Sequence, residues 1–128
     1  MRVTIDDLNV AYREYSVSWT NFIIMVYLYK TTKAYPVDGF RGIYDAIRFV
    51  FAKYGTGVSK AFLKRSLRFI SWYARKSGKD FDRLMNYPYA LLDRAFLEMI
   101  KAEEDWTLER FFGRVKTIAE SSKYGVLK

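Results

Sequence analysis

Nine lysines and arginines, and no acid, lie between residues 46 and 79: Arg48, Lys53, Lys60, Lys64, Arg65, Arg68, Arg75, Lys76 and Lys79. Side chains of this type at this density bind anions, through Coulomb attraction and charge-assisted hydrogen bonds. The flanking segments are close to neutral. Residues 1–45 hold five basic and five acidic side chains, and residues 80–128 hold eight and nine. The formal net charge of +8 and the pI near 9.7 therefore originate in one internal stretch.

Spacing turns that stretch into a surface. With Lys60 at zero on a helical wheel, Lys64, Arg75, Arg68, Arg65 and Lys76 fall within about 160°, and Phe62, Leu63, Ser66, Leu67, Phe69, Ile70, Tyr73 and Ala74 fill the other side. A helix over about 59–76 would thus turn one face to a core and carry a cationic ridge about 24 Å long on the other. Solvated helix faces usually mix signs, because opposite charges at i,i+4 stabilise a helix and like charges destabilise it. Lys60/Lys64 and Lys64/Arg68 are like pairs at that spacing. Trp72 falls inside the basic sector. Its indole either stacks on a base or sugar beside Arg68 and Arg75 or is covered by a neighbouring helix or subunit. The phosphate-contacting set expected from sequence is Lys60, Lys64, Arg65, Arg68, Arg75 and Lys76, with Trp72 beside them.

The residues that usually perform catalysis are missing. Histidine and cysteine are absent, which excludes a Ser–His–Asp triad, a Cys–His pair, thiolate or imidazole zinc sites and disulfides. Two acidic clusters, Asp80-Phe81-Asp82 and Glu103-Glu104-Asp105, could in principle hold Mg²⁺ for phosphoryl chemistry. Both lie at expected helix boundaries, where capping and the helix dipole account for Asp80 and Asp105 more simply. Gly55-Thr56-Gly57 lacks the Gly-Lys-Ser/Thr ending of a phosphate loop. The expectation is a non-enzymatic protein without a cofactor.

The elements that must position the ridge are helical. Thr4 followed by Asp7 resembles a capping box. From there Ile5, Leu8, Tyr12, Tyr15, Trp19, Phe22, Val26 and Tyr29 recur at spacings of three and four, an a/d pattern that predicts one helix over 5–30. Residues 22–29 are apolar all round, so that end should be buried on every side. Asp38 is expected to cap a second helix with Phe40, Ile43, Ile47, Val50 and Tyr54 inward. Ser59 or Thr56 should cap the third, with Gly78 as its stop. A short turn over 80–87 carries Phe81 and Leu84 inward. Pro88 suits the first turn of a fourth helix reaching about Glu104, with Leu92, Ala95, Phe96, Met99 and Ile100 on its apolar face. Asp105 or Thr107 caps the last, with Leu108, Phe111, Phe112, Val115, Ile118 and Ala119 inward. The tail frays from about Ser122.

The sum is an all-α chain, a bundle of about five main helices in a single domain over 1–128. At 51% hydrophobic and 19% aromatic it has ample material for a core, unlike a disordered chain. Absent glutamine, only three asparagines and many charges hint at a thermophilic source. Met1-Arg2 is followed by Val3-Thr4-Ile5-Asp6-Asp7 rather than an apolar run, so no secretory leader is expected. The longest apolar run, Phe22 to Tyr29, is too short to span a bilayer.

These features point to a nucleic-acid-binding scaffold, for DNA or RNA, with little sequence specificity, since no zinc finger, RNP motif or helix-turn-helix sequence is present. Nucleocapsid-type virion proteins and small helical subunits of ribonucleoprotein complexes have this architecture, which implies a cytoplasmic or in-particle location and a larger assembly. The alternative is a protein-interaction or self-assembly module using the aromatic heptad of helix 5–30. A third reading places the basic amphipathic helix on an anionic membrane surface.

Overall fold

The computed structural model describes residues 3–13, 19–54 and 58–121, which form helices and turns with no strand among them. The all-α class expected from periodicity holds. The chain divides into two compact units, residues 1–71 and 72–128.

In the first unit, α1 (Ile5–Arg13) and α2 (Trp19–Thr31) pack against each other, and both pack on α4 (Ile43–Tyr54). The heptad over 5–30 is therefore not one rod. Two segments nine and thirteen residues long fold back together, because apolar faces of that width bury more area against each other than end to end. Leu8 from α1 and Phe22, Ile23, Val26 and Tyr29 from α2 are essentially inaccessible. Each such side chain contributes about 1.5–3 kcal/mol relative to exposure. Burial of α2 on several sides agrees with its all-round apolar sequence. The side chains of Tyr12 and Tyr15 lie outside the described residues.

The capping box is present: Thr4 N donates to Asp7 Oδ2 at 2.8 Å, and Asp7 N donates to Thr4 Oγ1 at 3.3 Å. Asp38 does not cap the second long helix. Its Oδ2 accepts from Ile5 N at 3.0 Å and from the Tyr29 hydroxyl at 2.8 Å, tying the α2–α4 connection to the start of α1. That connection contains a single helical turn, α3 (Ala34–Val37), and Gly39 at φ 90°, a conformation that suits glycine. Helix α4 consequently starts at Ile43, later than the sequence suggested, with Ile43, Ile47 and Val50 buried and Phe40 outside it. The Tyr54 side chain, the link 55–57 with Thr56, and the tail from 122 are outside the described residues.

Helix α5 (Lys60–Ser77) begins in the first unit and ends in the second. In the second unit a 3-10 turn over Asp82–Asn86 follows, with Leu84 buried and Phe81 only half-buried. Pro88 stands at the N-cap of α6 (Tyr89–Lys101) rather than within its first turn. Helix α6 stops three residues before Glu104, where Glu103 adopts φ 56° and Glu104 N bonds back to Met99 O at 3.3 Å. Thr107 caps α7 (Leu108–Glu120), its hydroxyl accepting from Arg110 N at 3.2 Å. Leu91, Leu92, Ala95, Phe96 and Met99 of α6 meet Phe111, Phe112, Val115 and Ile118 of α7 in the core of this unit, while Ile100, Leu108 and Ala119 are half-buried. Arg114 clamps Glu98 with two hydrogen bonds of 2.6 and 3.1 Å across the same pair of helices.

Candidate nucleic-acid interface

Helix α5 exists because its ends are closed and one side is apolar. Ser59 Oγ accepts from Phe62 N at 3.2 Å, the N-cap bond expected of a serine. At the other end Gly78 takes φ 64°, and Lys79 N bonds to Ala74 O at 2.9 Å. Between them Leu63, Ser66, Leu67, Phe69 and Ile70 are buried in the first unit, and Tyr73 and Ala74 in the second. The core sector of the wheel is thus realised, with Phe62 half-buried at its margin.

The basic residues occupy the opposite side. In the first unit Lys60, Lys64 and Arg68 are exposed. Among the described residues, no ion pair engages any of the three. Arg65 is half-buried, with its guanidinium carbon 5.5 Å from the Phe62 ring centroid, so its stem is used in packing while its head stays near the surface. In the second unit Arg75 and Lys76 are exposed, but Lys76 Nζ bonds Asp105 Oδ2 at 2.9 Å.

Trp72 requires a correction. The wheel put it among the cations, yet it is 5% exposed. Its ring packs 5.7 Å from Phe96 and 5.2 Å from Phe111, and its indole N–H donates to Asp105 Oδ1 at 2.9 Å. An indole buried in this way presents no face to a base. The physical reason is size: even from inside the basic sector an indole is long enough to reach over the shoulder of its helix into the interior that α6 and α7 create.

Asp105 was missed as part of the α5 surface. It accepts from Trp72 first and from Lys76 second, and these bonds hold its carboxyl below the ordinary carboxylate value. Its neighbour Glu104 is also held low, chiefly by the Trp106 indole N–H at 3.0 Å and then by the nearby Arg110 guanidinium. Two members of the acidic cluster at 103–105, Glu104 and Asp105, thus accept from the indoles of two buried tryptophans. Asp80 does not stand at a cap position: its Oδ1 accepts from Asp82 N at 3.2 Å in a local turn, and the N-cap of the following 3-10 helix is Phe81, which makes no side-chain cap bond. Among the described residues no group of three potential ligands stands close enough to hold a metal ion.

Two residues of α4 also belong in the picture. Tyr44 and Arg48 share a pocket with Lys60 and Lys64 in the first unit. Their relevance is invisible on the wheel of either helix alone. No helix among the described residues is long and apolar enough to cross a membrane. No protein-family model, curated protein or solved structure matches this chain.

Proposed function

We propose that this protein is a non-catalytic nucleic-acid-binding scaffold that holds a phosphate backbone on the basic face of α5, with little sequence specificity. The observation that carries the proposal is the set Lys60, Lys64 and Arg68: three exposed cations on one face, with no ion pair among the described residues. Arg65 adds a fourth charge at the edge of that face. A helix that tolerates like charges at i,i+4 without an acid loses stability unless an anion meets it. Arg75 and Lys76 make a weaker contribution, because Asp105 offsets their charge.

The opposite side of α5 supports a polyanion over a lipid surface. Membrane-surface helices insert an apolar stripe among the acyl chains, and on α5 that stripe is occupied: Leu63, Leu67, Phe69 and Ile70 are at most 8% exposed. The self-assembly reading loses ground for the same reason. Trp19, Phe22, Val26 and Tyr29 of the aromatic heptad are interior side chains of the first unit. Many copies laid along a nucleic acid would form the kind of nucleoprotein particle that the composition suggests, cellular or viral.

The test is the salt dependence of binding. Four phosphate contacts imply a slope of log K against log salt of about −3.6 on duplex and about −2.8 on a single strand. The triple reversal Lys60→Glu, Lys64→Glu, Arg68→Glu is expected to abolish binding while leaving the helical circular dichroism spectrum intact. Retained binding by that folded variant, or a slope near zero, would overturn the proposal.

A further inference from the structure

Helices α4 and α5 border a pocket of about 330 Å³ within the first unit. The volume is at the small end of the range for small-ligand sites, enough for one compact ligand and too little for a peptide segment. Its chemistry is two-sided. Ile47 and Leu63, 1% and 5% exposed, supply an apolar floor. Tyr44 and Phe51 supply aromatic walls, and Tyr44 is 36% exposed, so its ring is accessible from outside. Arg48, Lys60 and Lys64 supply three cations to the lining.

Those cations are not balanced equally. Arg48 pairs with Asp45 one turn earlier, whereas Lys60 and Lys64 have no acid among the described residues. Lys60 is also the first residue of α5, whose first turn contains no acid. A lysine there adds to the positive end of the helix dipole, an arrangement that weakens the free helix and favours a bound anion. The pocket therefore calls for a ligand with a flat apolar body and an anionic group at one end. A nucleotide has that form: a π-face for the aromatic walls and a phosphate for the lysines.

From this we infer that the pocket receives one unstacked nucleotide, its base between Tyr44 and Phe51 and its phosphate at Lys60 and Lys64. The inference rests on the backbone-binding function proposed above and deepens it. Lys64 and Arg68 continue along the same face of α5, in position to take the adjoining phosphates of a longer strand. A single strand offers its bases freely, while a duplex must first break a pair and unstack. The consequence is a preference for single-stranded over duplex nucleic acid.

The experiment uses the full chain at fixed salt with three probes: adenosine monophosphate, a short mixed-sequence single strand, and the same strand annealed to its complement. The expected result is a saturable shift of the Tyr44 ring resonances by the mononucleotide and tighter binding of the single strand than of the duplex. Tyr44→Ala should weaken single-strand binding about five- to a hundredfold. Duplex affinity and the salt slope should remain within twofold of the parent, because the phosphate contacts are kept. Val58→Trp, which fills the pocket from a lining position that is only half-buried, should reproduce the selective loss, with a melting curve confirming the fold. If the parent binds both polymers and neither variant changes their affinity ratio, the pocket inference is overturned while the backbone reading stands. If the mononucleotide binds but neither polymer does, the backbone reading falls and the pocket is a site for free nucleotides. Binding of none of the three probes would overturn both.

Discussion

The two ends of α5 solve the same problem in opposite ways. Each faces a core that holds a tryptophan indole, Trp19 of α2 in the first unit and Trp72 of α5 itself in the second, and each indole N–H needs a partner, since a buried donor left unsatisfied costs about 1–3 kcal/mol. In the first unit the Trp19 indole donates to the hydroxyl of Ser66, 3.1 Å away and fully buried on α5. In the second unit the Trp72 indole donates to the carboxylate of Asp105, at the surface. The neutral partner leaves the charge of its end of the helix untouched, so Lys60, Lys64 and Arg68 remain an uncompensated cationic face. The charged partner also meets Lys76 and lowers the local potential. The lesson is that the way a core satisfies one indole sets how much positive charge the outside of the same helix presents.

Five changes would break or sharpen that contrast. Trp72→Ala should be the most damaging to stability, about 3–5 kcal/mol as for other buried tryptophans, read from chemical denaturation followed by circular dichroism. If the loss were below about 1 kcal/mol, the indole would not be part of the core. Ser66→Ala should cost about 1–3 kcal/mol, because it removes the buried hydroxyl that accepts from the Trp19 N–H. A fully tolerated Ser66→Ala would remove the first half of the comparison.

The third change concerns binding. Lys64→Glu should weaken nucleic-acid affinity at low salt far more than Lys76→Glu, since only Lys76 already has an acid beside it. Equal losses in a filter-binding or anisotropy titration would mean that Asp105 does not offset its end of the helix. Asp105→Asn, the fourth, keeps a side chain that can still accept the indole N–H and removes the negative charge. It should tighten binding at low salt, with the gain vanishing as salt screens the exposed charge. An unchanged low-salt affinity would count against that role.

The fifth and smallest effect is acid sensitivity. Asp105 is held below its ordinary value of 3.8, first by the Trp72 N–H and next by Lys76. A carboxylate depressed by folding stabilises the fold when ionised, so its contribution is complete above the unfolded value and is lost as pH falls below 3.8 through the lower folded value. Glu104, depressed from 4.5 mainly by the Trp106 N–H, acts in the same direction from a slightly higher pH. Tryptophan fluorescence in the second unit should change over that window. In Asp105→Asn the component from Trp72 should be insensitive to acid. A parent protein with a flat fluorescence profile down to strongly acidic pH would contradict the carboxylate–indole pairing.

Local chemistry in the chain was enough to place the start of α1 and the helices α5, α6 and α7. The Thr4–Asp7 box, Ser59 and Thr107 as caps, Gly78 as a stop, and the buried rows of α5, α6 and α7 all follow from capping preferences and 3.6-residue periodicity. So does the clustering of charge, since composition and spacing are properties of the sequence itself. Tertiary structure decided what those rules do not encode. It folded the heptad of residues 5–30 into two packed helices, drew Asp38 across to Ile5 and Tyr29, and turned Trp72 inward. It also brought Asp105 to Lys76 from 29 positions away and set Tyr44 and Arg48 around a pocket with Lys60 and Lys64. The physical reason is range. Caps and amphipathic faces act within one or two turns, whereas the partner of a buried indole or a surface cation is whichever group the packing of other helices delivers.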